Sequence, residues 1–323
     1  MRLCSLVGVI CLCSMVLSVR AQQSRLDYEA RWKVVDSLLN VAGLPLSALA
    51  EVSRIDALAK QEHNGGQEIR ALIYRLAIQR QINGDADTAA IKLLEKEIPG
   101  TAQPERSILE SLLASSYLNY LQRKRYIIYG RTATVAQGAD DMASWTIDDF
   151  HRRIGDLFLA SVKEERLLQG TASGSLEPIL INGNWRRRLR PTLYDLLVYE
   201  ALDYFEGIEA TIHQPADAYN IEDTAVFADV SIFAAHVFGR MDANSLTYQA
   251  LLLYQRLIRF HLKDAKPDAL IGADIERLGF ARVYSLDPNK DAKYLGAMAR
   301  LSNQWGDLPA AAQVWYLQAD QYH

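Results

Sequence analysis

Cysteine is missing from almost the whole of this chain. The sequence has three cysteines, Cys4, Cys11 and Cys13, and all of them lie within the first thirteen residues. If that segment is a removable leader, the remainder forms no disulfide, offers no thiol nucleophile and has no thiolate ligand for a metal ion. Thiol-dependent enzymes and small disulfide-stapled domains are therefore excluded as classes for the mature protein.

An excess of positive charge is also missing. The chain has 35 basic and 39 acidic residues, and the expected leader holds two of the basic ones, Arg2 and Arg20, so the mature charge is about −6. Nucleic acid and anionic membranes require clustered positive charge, so we exclude both as main partners. Half of the residues are hydrophobic, which is enough to bury a sizeable core, and 323 residues correspond to one large or two ordinary domains.

Residues 1–21 have the layout of a secretory signal peptide. Arg2 supplies a positive charge, residues 3–19 are largely apolar, and Val19-Arg20-Ala21 places small residues where signal peptidase binds. We predict cleavage after Ala21. Two alternatives stay open, an uncleaved anchor and lipidation at Cys13. The apolar run is short for ~30 Å of hydrocarbon, and Cys13 follows a leucine rather than a small residue.

An exported chain without cysteine is typical of the bacterial envelope. We therefore place the protein in the periplasm or cell envelope of a Gram-negative bacterium, with no membrane span once the leader is removed.

Beyond Gln22 the apolar residues recur at spacings of three and four, which indicates amphipathic helices. Short turn signals separate these stripes: Gly43-Leu44-Pro45, Asn64-Gly65-Gly66, Asn83-Gly84 and Pro99-Gly100. No stretch alternates polar and apolar residues for long, so a sheet of any size is not expected. The pattern predicts an all-α fold.

A short amphipathic helix cannot bury its apolar face alone and needs the next helix packed on it, which is how helical-repeat solenoids are built. The turn at 306–309 (GDLP), between two apolar stripes, resembles a tetratricopeptide-type hairpin. We predict stacked helical hairpins in two regions, 22–168 and 191–323, joined by a polar linker at 169–190. The second region ends while the repeat pattern is still running, so we expect either a fragment or a free-standing helical module.

Few residues suggest chemistry. Asp148 and His151 have the spacing of metal ligands on one helix face, and Asp140-Asp141 lies nearby. We favour a simpler interpretation, because acidic residues such as Asp148 and Asp149 are common in the first turn of a helix. None of the six histidines lies in a metalloprotease motif. His236 and His261 have apolar neighbours in sequence, and we expect both to be core residues.

The sequence also lacks a serine nucleophile motif and a phosphate-binding loop. Gly174-Ser175-Leu176 has no second flanking glycine and follows no strand. We therefore predict no catalytic, cofactor-binding or metal-binding residue, and the protein is not expected to be an enzyme. The one dense basic patch consists of Arg186, Arg187, Arg188 and Arg190. It is a candidate docking site for a phosphate or an acidic partner, but the interpretation that we favour is a solvated or ion-paired face.

Residues 190–195 have the sequence RPTLYD, and ALDYF follows at 201–205. This block resembles one in the N-terminal helical region of long bacterial alpha-2-macroglobulin family proteins, which are common in Bacteroidetes. Further stretches that resemble the family are 28–37 (YEARWKVVDS), 43–49 (GLPLSAL), 70–76 (RALIYRL), 260–264 (FHLKD), 267–270 (PDAL) and 274–278 (DIERL). These stretches follow one another in order along nearly the whole mature chain.

The resemblance implies an accessory domain of a protease trap. Family members are large secreted or periplasmic proteins that trap proteases with β-sandwich macroglobulin domains, a cleavable bait segment and, in many members, a Cys-Gln thioester. The mature chain has no cysteine for a thioester, so protease inhibition belongs to the rest of such a protein. The resemblance implies a scaffold or docking role here, with macroglobulin domains of the same full-length chain and envelope proteins as partners.

Other function classes remain open. A stand-alone helical-repeat adaptor fits the pattern, as does a glycan-binding module of the outer-membrane nutrient-uptake type, although those modules usually carry a lipoprotein cysteine. A peptidoglycan-acting enzyme is the weakest alternative, because the chain has no paired carboxylates in a supporting context.

Overall fold

The computed structural model describes residues 27–82, 86–129, 142–176, 179, 186–207, 219–239 and 245–320. These residues form helices joined by turns, and no strand occurs among them apart from two isolated bridges, Ala172 with Thr192 and Ile221 with Ser285. The predicted all-α class is confirmed, and hairpins of neighbouring helices are compatible with a helical repeat. The expected leader, residues 1–21, lies outside the described residues.

The chain divides into two compact units, an N-terminal unit up to Ala90 and a C-terminal unit from Ile91. The helices of the N-terminal unit are α1 (27–40), α2 (Pro45–Glu62), α3 (Gly65–Ile82) and the start of α4 (Ala86–Glu97). Its core is formed by apolar side chains of the first three helices, among them Tyr28, Trp32, Val52, Ile55 and Ile78.

The first two turns of this unit follow the predicted breaks with one difference, whereas the predicted break at Asn83-Gly84 lies outside the described residues. Gly43, with φ of +63°, lies in the left-handed region between α1 and α2. At the next break, His63 rather than a glycine adopts a left-handed conformation, and its N–H caps the end of α2. Gly65 and Gly66 were expected in a helix stop, but they begin α3, where Asn64 Oδ1 accepts a hydrogen bond from the N–H of Gln67. The Asn side chain therefore marks a helix start here.

The C-terminal unit contains the remaining helices. They are α5 (Glu105–Tyr129), α6 (Ile147–Ser161), α7 (Glu165–Gly170), α8 (Arg186–Leu189), α9 (Leu193–Phe205), α10 (Val230–Ala235), α11 (Leu246–His261), α12 (Asp268–Tyr284), α13 (Lys290–Trp305) and α14 (Ala312–Asp320). Helix α9 packs against α5, α6, α7 and α11, and α12 packs against α8, α11 and α13. Helices α9 and α12 therefore provide much of the core of this unit.

The last two helices form the expected hairpin. Tyr294, Met298 and Leu301 of α13 are buried, and so is Val314 of α14. The predicted linker at 169–190 contains the end of α7, a 3₁₀ turn (Ser173–Leu176) and the short helix α8. The predicted division of the chain at that linker stays a prediction. No helix in the described part of the chain is both long and apolar enough to cross a membrane.

Candidate functional site

The acidic residues near His151 form a helix start. Thr146 is the N-cap of α6, and its hydroxyl accepts a hydrogen bond from the backbone N–H of Asp149, while the Asp149 carboxylate accepts from the N–H of Thr146. The hydrogen bonds that the Asp149 carboxylate accepts, first from the hydroxyl of Thr146 and then from its N–H, lower the pKa of Asp149. His151 Nδ1 lies 3.0 Å from the hydroxyl of Tyr204. The helix-start interpretation is confirmed, whereas Asp140-Asp141 lies outside the described residues.

No group of three or more histidine, cysteine, aspartate or glutamate side chains in the described segments is arranged to hold a metal ion.

Two members of the basic patch have intramolecular partners. Arg188 Nη2 lies 2.7 Å from a carboxylate oxygen of Asp268, at the start of α12, yet the arginine side chain is still 61% exposed. Arg190 stacks on the ring of Tyr199 at 3.8 Å and lies 3.7 Å from Glu276. Arg186 and Arg187 belong to α8, and their side chains lie outside what the structure describes. Among the described members, Arg188 thus offers the accessible charge and Arg190 joins α9 to α12.

A buried histidine joins α9 to the end of α11. His261 Nε2 lies 2.6 Å from Asp195 Oδ1, and His261 Nδ1 lies 2.7 Å from Asp264 Oδ2. Asp195 is itself the third residue of α9, where its other oxygen accepts hydrogen bonds from the backbone and hydroxyl of Thr192. One carboxylate therefore both caps a helix and binds the histidine. His261 is a core residue as predicted.

His236, the other expected core histidine, is only half-buried. Its Nε2 lies 2.6 Å from Asp223 Oδ2 near the surface. It follows the short helix α10 in extended conformation, and its apolar neighbours Phe233 and Phe238 are buried in its place. The prediction that His236 is a core residue is therefore wrong. It relied on apolar neighbours in sequence, but outside a long helix adjacent residues point in different directions.

Long polar side chains of α11, α12 and α13 bind the backbone between residues 226 and 236. Arg277 Nη1 donates to the carbonyl oxygens of Val226 and Ala228 at 2.6 and 3.0 Å, and Arg300 donates to that of Phe227 at 2.6 Å. The same role is served by Gln255, whose amide donates to the carbonyls of Phe233 and His236. These carbonyls have few partners within their own short segment, and buried carbonyls require donors.

Arg277 also forms a buried ion pair. Its Nε donates to Asp274 Oδ1 at 2.8 Å, its Nη2 contacts the same oxygen, and its guanidinium lies 4.6 Å from the ring of Phe233. Burial raises the pKa of Asp274, and the charge of Arg277 opposes that rise. A small cavity of about 20 Å³ beside this pair is lined by Asp229, Arg300, Gln304 and Trp305 among others. That volume has room for about one water molecule, so it does not fit an organic ligand.

A carboxyl group that titrates near neutrality lies at the C-terminal end of α9. Glu206 Oε1 accepts a hydrogen bond from the hydroxyl of Tyr254 at 2.7 Å, and its backbone oxygen accepts one from Tyr284 at 2.6 Å. Burial raises the pKa of Glu206 to about 7, helped by the nearby charges of Glu276 and Asp203 and opposed by the Tyr254 hydrogen bond. The hydroxyl of Tyr254 thus fixes the orientation of the acid.

Sequence reasoning missed the polar contacts of Arg277 and Glu206. Nothing in the local pattern distinguishes them from surface residues. The one signal in the sequence was that Asp195, His261, Asp274 and Arg277 fall within the stretches at 190–195, 260–264 and 274–278. Comparisons with protein-family models, curated proteins and solved structures gave no match.

Proposed function

We propose that this chain is an exported helical scaffold that docks protein partners, the accessory region of an alpha-2-macroglobulin-like protein of the bacterial envelope. It is not catalytic itself. Its partners are macroglobulin domains of its own full-length chain and other envelope proteins. Protease trapping belongs to those other domains.

The proposal is supported by the contacts that charged residues make in the stretches that resemble the alpha-2-macroglobulin family. Asp195 of the first block binds His261 of another, and Asp274 and Arg277 of a third bind each other and the backbone. Each group holds helix ends or a turn in place. Such a use of buried charge favours a rigid framework over a reactive site.

The accessible part of the basic patch is the best docking candidate among the described residues. Asp268 is mostly buried, while the arginine that pairs with it is mostly exposed. An arginine holding one carboxylate retains further N–H donors for a second one. Arg188 therefore can bind an acidic partner without releasing Asp268.

The test is a capture experiment with envelope extract. Residues 22–323 are immobilised, and bound proteins are compared between the wild type, Arg188→Glu and the matched control Arg152→Glu. Arg152 is similarly exposed, at 69%, and also pairs with one aspartate, Asp149, at 3.1 Å. We expect a specific partner to be retained by the wild type and the control and to be reduced about tenfold or more by Arg188→Glu, since rim charges affect association and a like charge would repel the partner.

Equal capture by all three proteins would remove the basic patch from the proposal, and no specific partner at all would contradict the docking function. A captured protein with β-sandwich macroglobulin domains would support the family assignment. Fractionation of cells that express the entire chain tests export directly, since an exported protein is released with the periplasm and has lost residues 1–21.

A glycan-binding module remains the second candidate, because aromatic side chains are exposed on α14. Trp315 and the adjacent Tyr316 are 51% and 69% exposed, and sugar rings stack on exposed aromatic faces. If this candidate is correct, envelope oligosaccharides will change the tryptophan fluorescence of the wild type and not that of Trp315→Ala. Titrations without any change would leave the docking function as the better account.

A further inference from the structure

Helix α9 is fastened to α11 at both of its ends. The start of α9 contacts the end of α11 through Asp195 and His261. At the other end, Glu206 follows α9 and binds Tyr254 in the middle of α11. Both fastenings involve a titratable side chain whose pKa is raised in the folded protein.

At the first fastening, both ring nitrogens of His261 face carboxylate oxygens. A neutral imidazole carries one N–H and donates from one nitrogen only, so two short contacts to carboxylates require the doubly protonated ring. Burial lowers the pKa of His261, but the hydrogen bonds and charges of Asp195 and Asp264 outweigh it and raise the pKa above the ordinary 6.5. The titratable groups acting on the ring are Asp195 from α9 and Asp264 from the turn after α11.

At the second fastening, the carboxyl of Glu206 retains its proton to a higher pH than the carboxyl of an exposed glutamate does. The groups acting on it are Asp203 on α9, Tyr254 on α11 and Glu276 on α12. Arg190 lies 3.7 Å from Glu276. Once Glu206 ionises, two further acidic residues repel it in a partly desolvated position.

We propose that the junction of α9 and α11 is a pH-dependent clasp, tight in mildly acidic medium and loosened as the pH rises through neutrality. This inference is independent of the proposed docking function. In both fastenings the folded protein holds a proton that the unfolded chain releases, so the two effects have the same sign.

The pH window follows from the pKa values. Glu206 contributes stability that is complete below about 4.5 and is lost as the pH rises to about 7. His261 contributes stability that is complete below its ordinary value of 6.5 and is lost above it, through its raised folded pKa. Each proton changes the opening equilibrium by at most about tenfold per pH unit within its window.

Other carboxyls do not reverse this slope. The pKa values of Asp149, Asp223, Asp229 and Asp287 are lowered from 3.8, so these groups act in more acidic medium. Glu200, on α9, has a pKa raised by burial and by Asp203, and it acts in the same direction as Glu206.

The test is hydrogen exchange measured by mass spectrometry on the whole chain from pH 5 to pH 8, corrected for the intrinsic rates. Helix α2 of the N-terminal unit serves as an internal reference. We expect the protection of residues 193–206 and 246–261 to fall by about tenfold or more relative to α2 over this range, since local opening then releases at least one proton.

Two variants assign the effect to the two fastenings. Glu206→Gln keeps an acceptor for Tyr254 without the charge, so it should match the wild type at pH 5, be about tenfold better protected at pH 8, and show a flatter profile between them. Asp264→Asn removes one of the carboxylates that hold the imidazolium, which moves the folded pKa of His261 back toward 6.5. The loss of protection above pH 6.5 should therefore be smaller and should end at a lower pH. The matched control is Glu222→Gln, at an exposed glutamate, which should follow the wild type.

A wild-type profile for residues 193–206 that is flat relative to α2, or that rises with pH, would overturn the proposal. An unchanged slope in Glu206→Gln would overturn the role of Glu206, and an unchanged alkaline limb in Asp264→Asn would overturn that of His261. If Asp264→Asn does not fold, the Glu206→Gln profile still decides whether the junction responds to a proton.

Discussion

The two compact units differ in the polar groups that they bury. Among the described residues of the N-terminal unit, the buried polar side chain is that of Gln67, which accepts a hydrogen bond from the indole of Trp32 at 2.7 Å. The C-terminal unit buries full charges, including Asp195, His261, Asp274 and Arg277.

The difference reflects how the helices are connected. In the N-terminal unit short turns join the first three helices, so their apolar stripes meet directly and most of the backbone is satisfied within the helices. The C-terminal unit includes backbone around 226–236 that forms only a 3₁₀ turn and the six-residue helix α10. Arginine and glutamine side chains from distant parts of the sequence donate hydrogen bonds to its carbonyl oxygens. Because the arginines among these donors are charged, this unit has to bury full charges.

The strongest test of this comparison is to remove the charge at the centre of the C-terminal unit. Arg277→Met leaves Asp274 buried without its partner and two carbonyls without donors. We expect the free energy of unfolding of this unit to fall by about 3–5 kcal/mol, the usual cost of breaking a buried ion pair. Urea unfolding, followed by the hydrogen exchange of α12, measures this loss of stability.

The double variant Asp274→Leu/Arg277→Met is the control for this prediction, because it removes both charges and restores apolar packing. It should recover much of the loss, since replacing a buried ion pair by apolar side chains is often neutral. A single variant as stable as the wild type would show that the arginine does not hold the 226–228 turn.

A smaller effect is expected from the equivalent change in the N-terminal unit. Gln67→Leu leaves the indole N–H of Trp32 buried without an acceptor, which costs about 1–3 kcal/mol in the free energy of unfolding. Exchange of α1 and α2 measures this unit separately. The double variant Trp32→Phe/Gln67→Leu removes donor and acceptor together, so no buried group is left without its partner. It should therefore lose less stability from the missing hydrogen bond than Gln67→Leu. If Gln67→Leu were as damaging as Arg277→Met, the contrast between the two units would fail.

The fold was predictable from the sequence where local signals decide it. The Gly43-Leu44-Pro45 break, the Pro99-Gly100 end and the final hairpin all depend on neighbouring residues, and the structure has helix ends at each. Gly65 shows the limit of such signals, because a glycine permits a helix start as well as a stop.

The polar centres were not predictable, because their partners are far apart along the chain. Asp195 stands out in the sequence only as part of the stretch at 190–195, and nothing near it indicates that it binds a histidine 66 residues later. Arg188 was a docking candidate on account of its charge, and the ion pair with Asp268, 80 residues away, depends on the packing of α12. Burial of charge is decided by tertiary structure, which periodicity does not encode.

The sequence separation of these contacts has a consequence for the order of folding during synthesis. The N-terminal unit completes its polar contacts across 34 to 38 residues, as between Tyr28 and Glu62 or Asp36 and Tyr74. Asp195 and Glu206 bind partners that lie 66 and 78 residues further along the chain. At a synthesis rate of about 5–20 residues per second, α9 emerges several seconds before the chain that buries it. During that interval the side of α9 that packs on α11 is exposed to chaperones and proteases, whereas the first three helices can already have packed together.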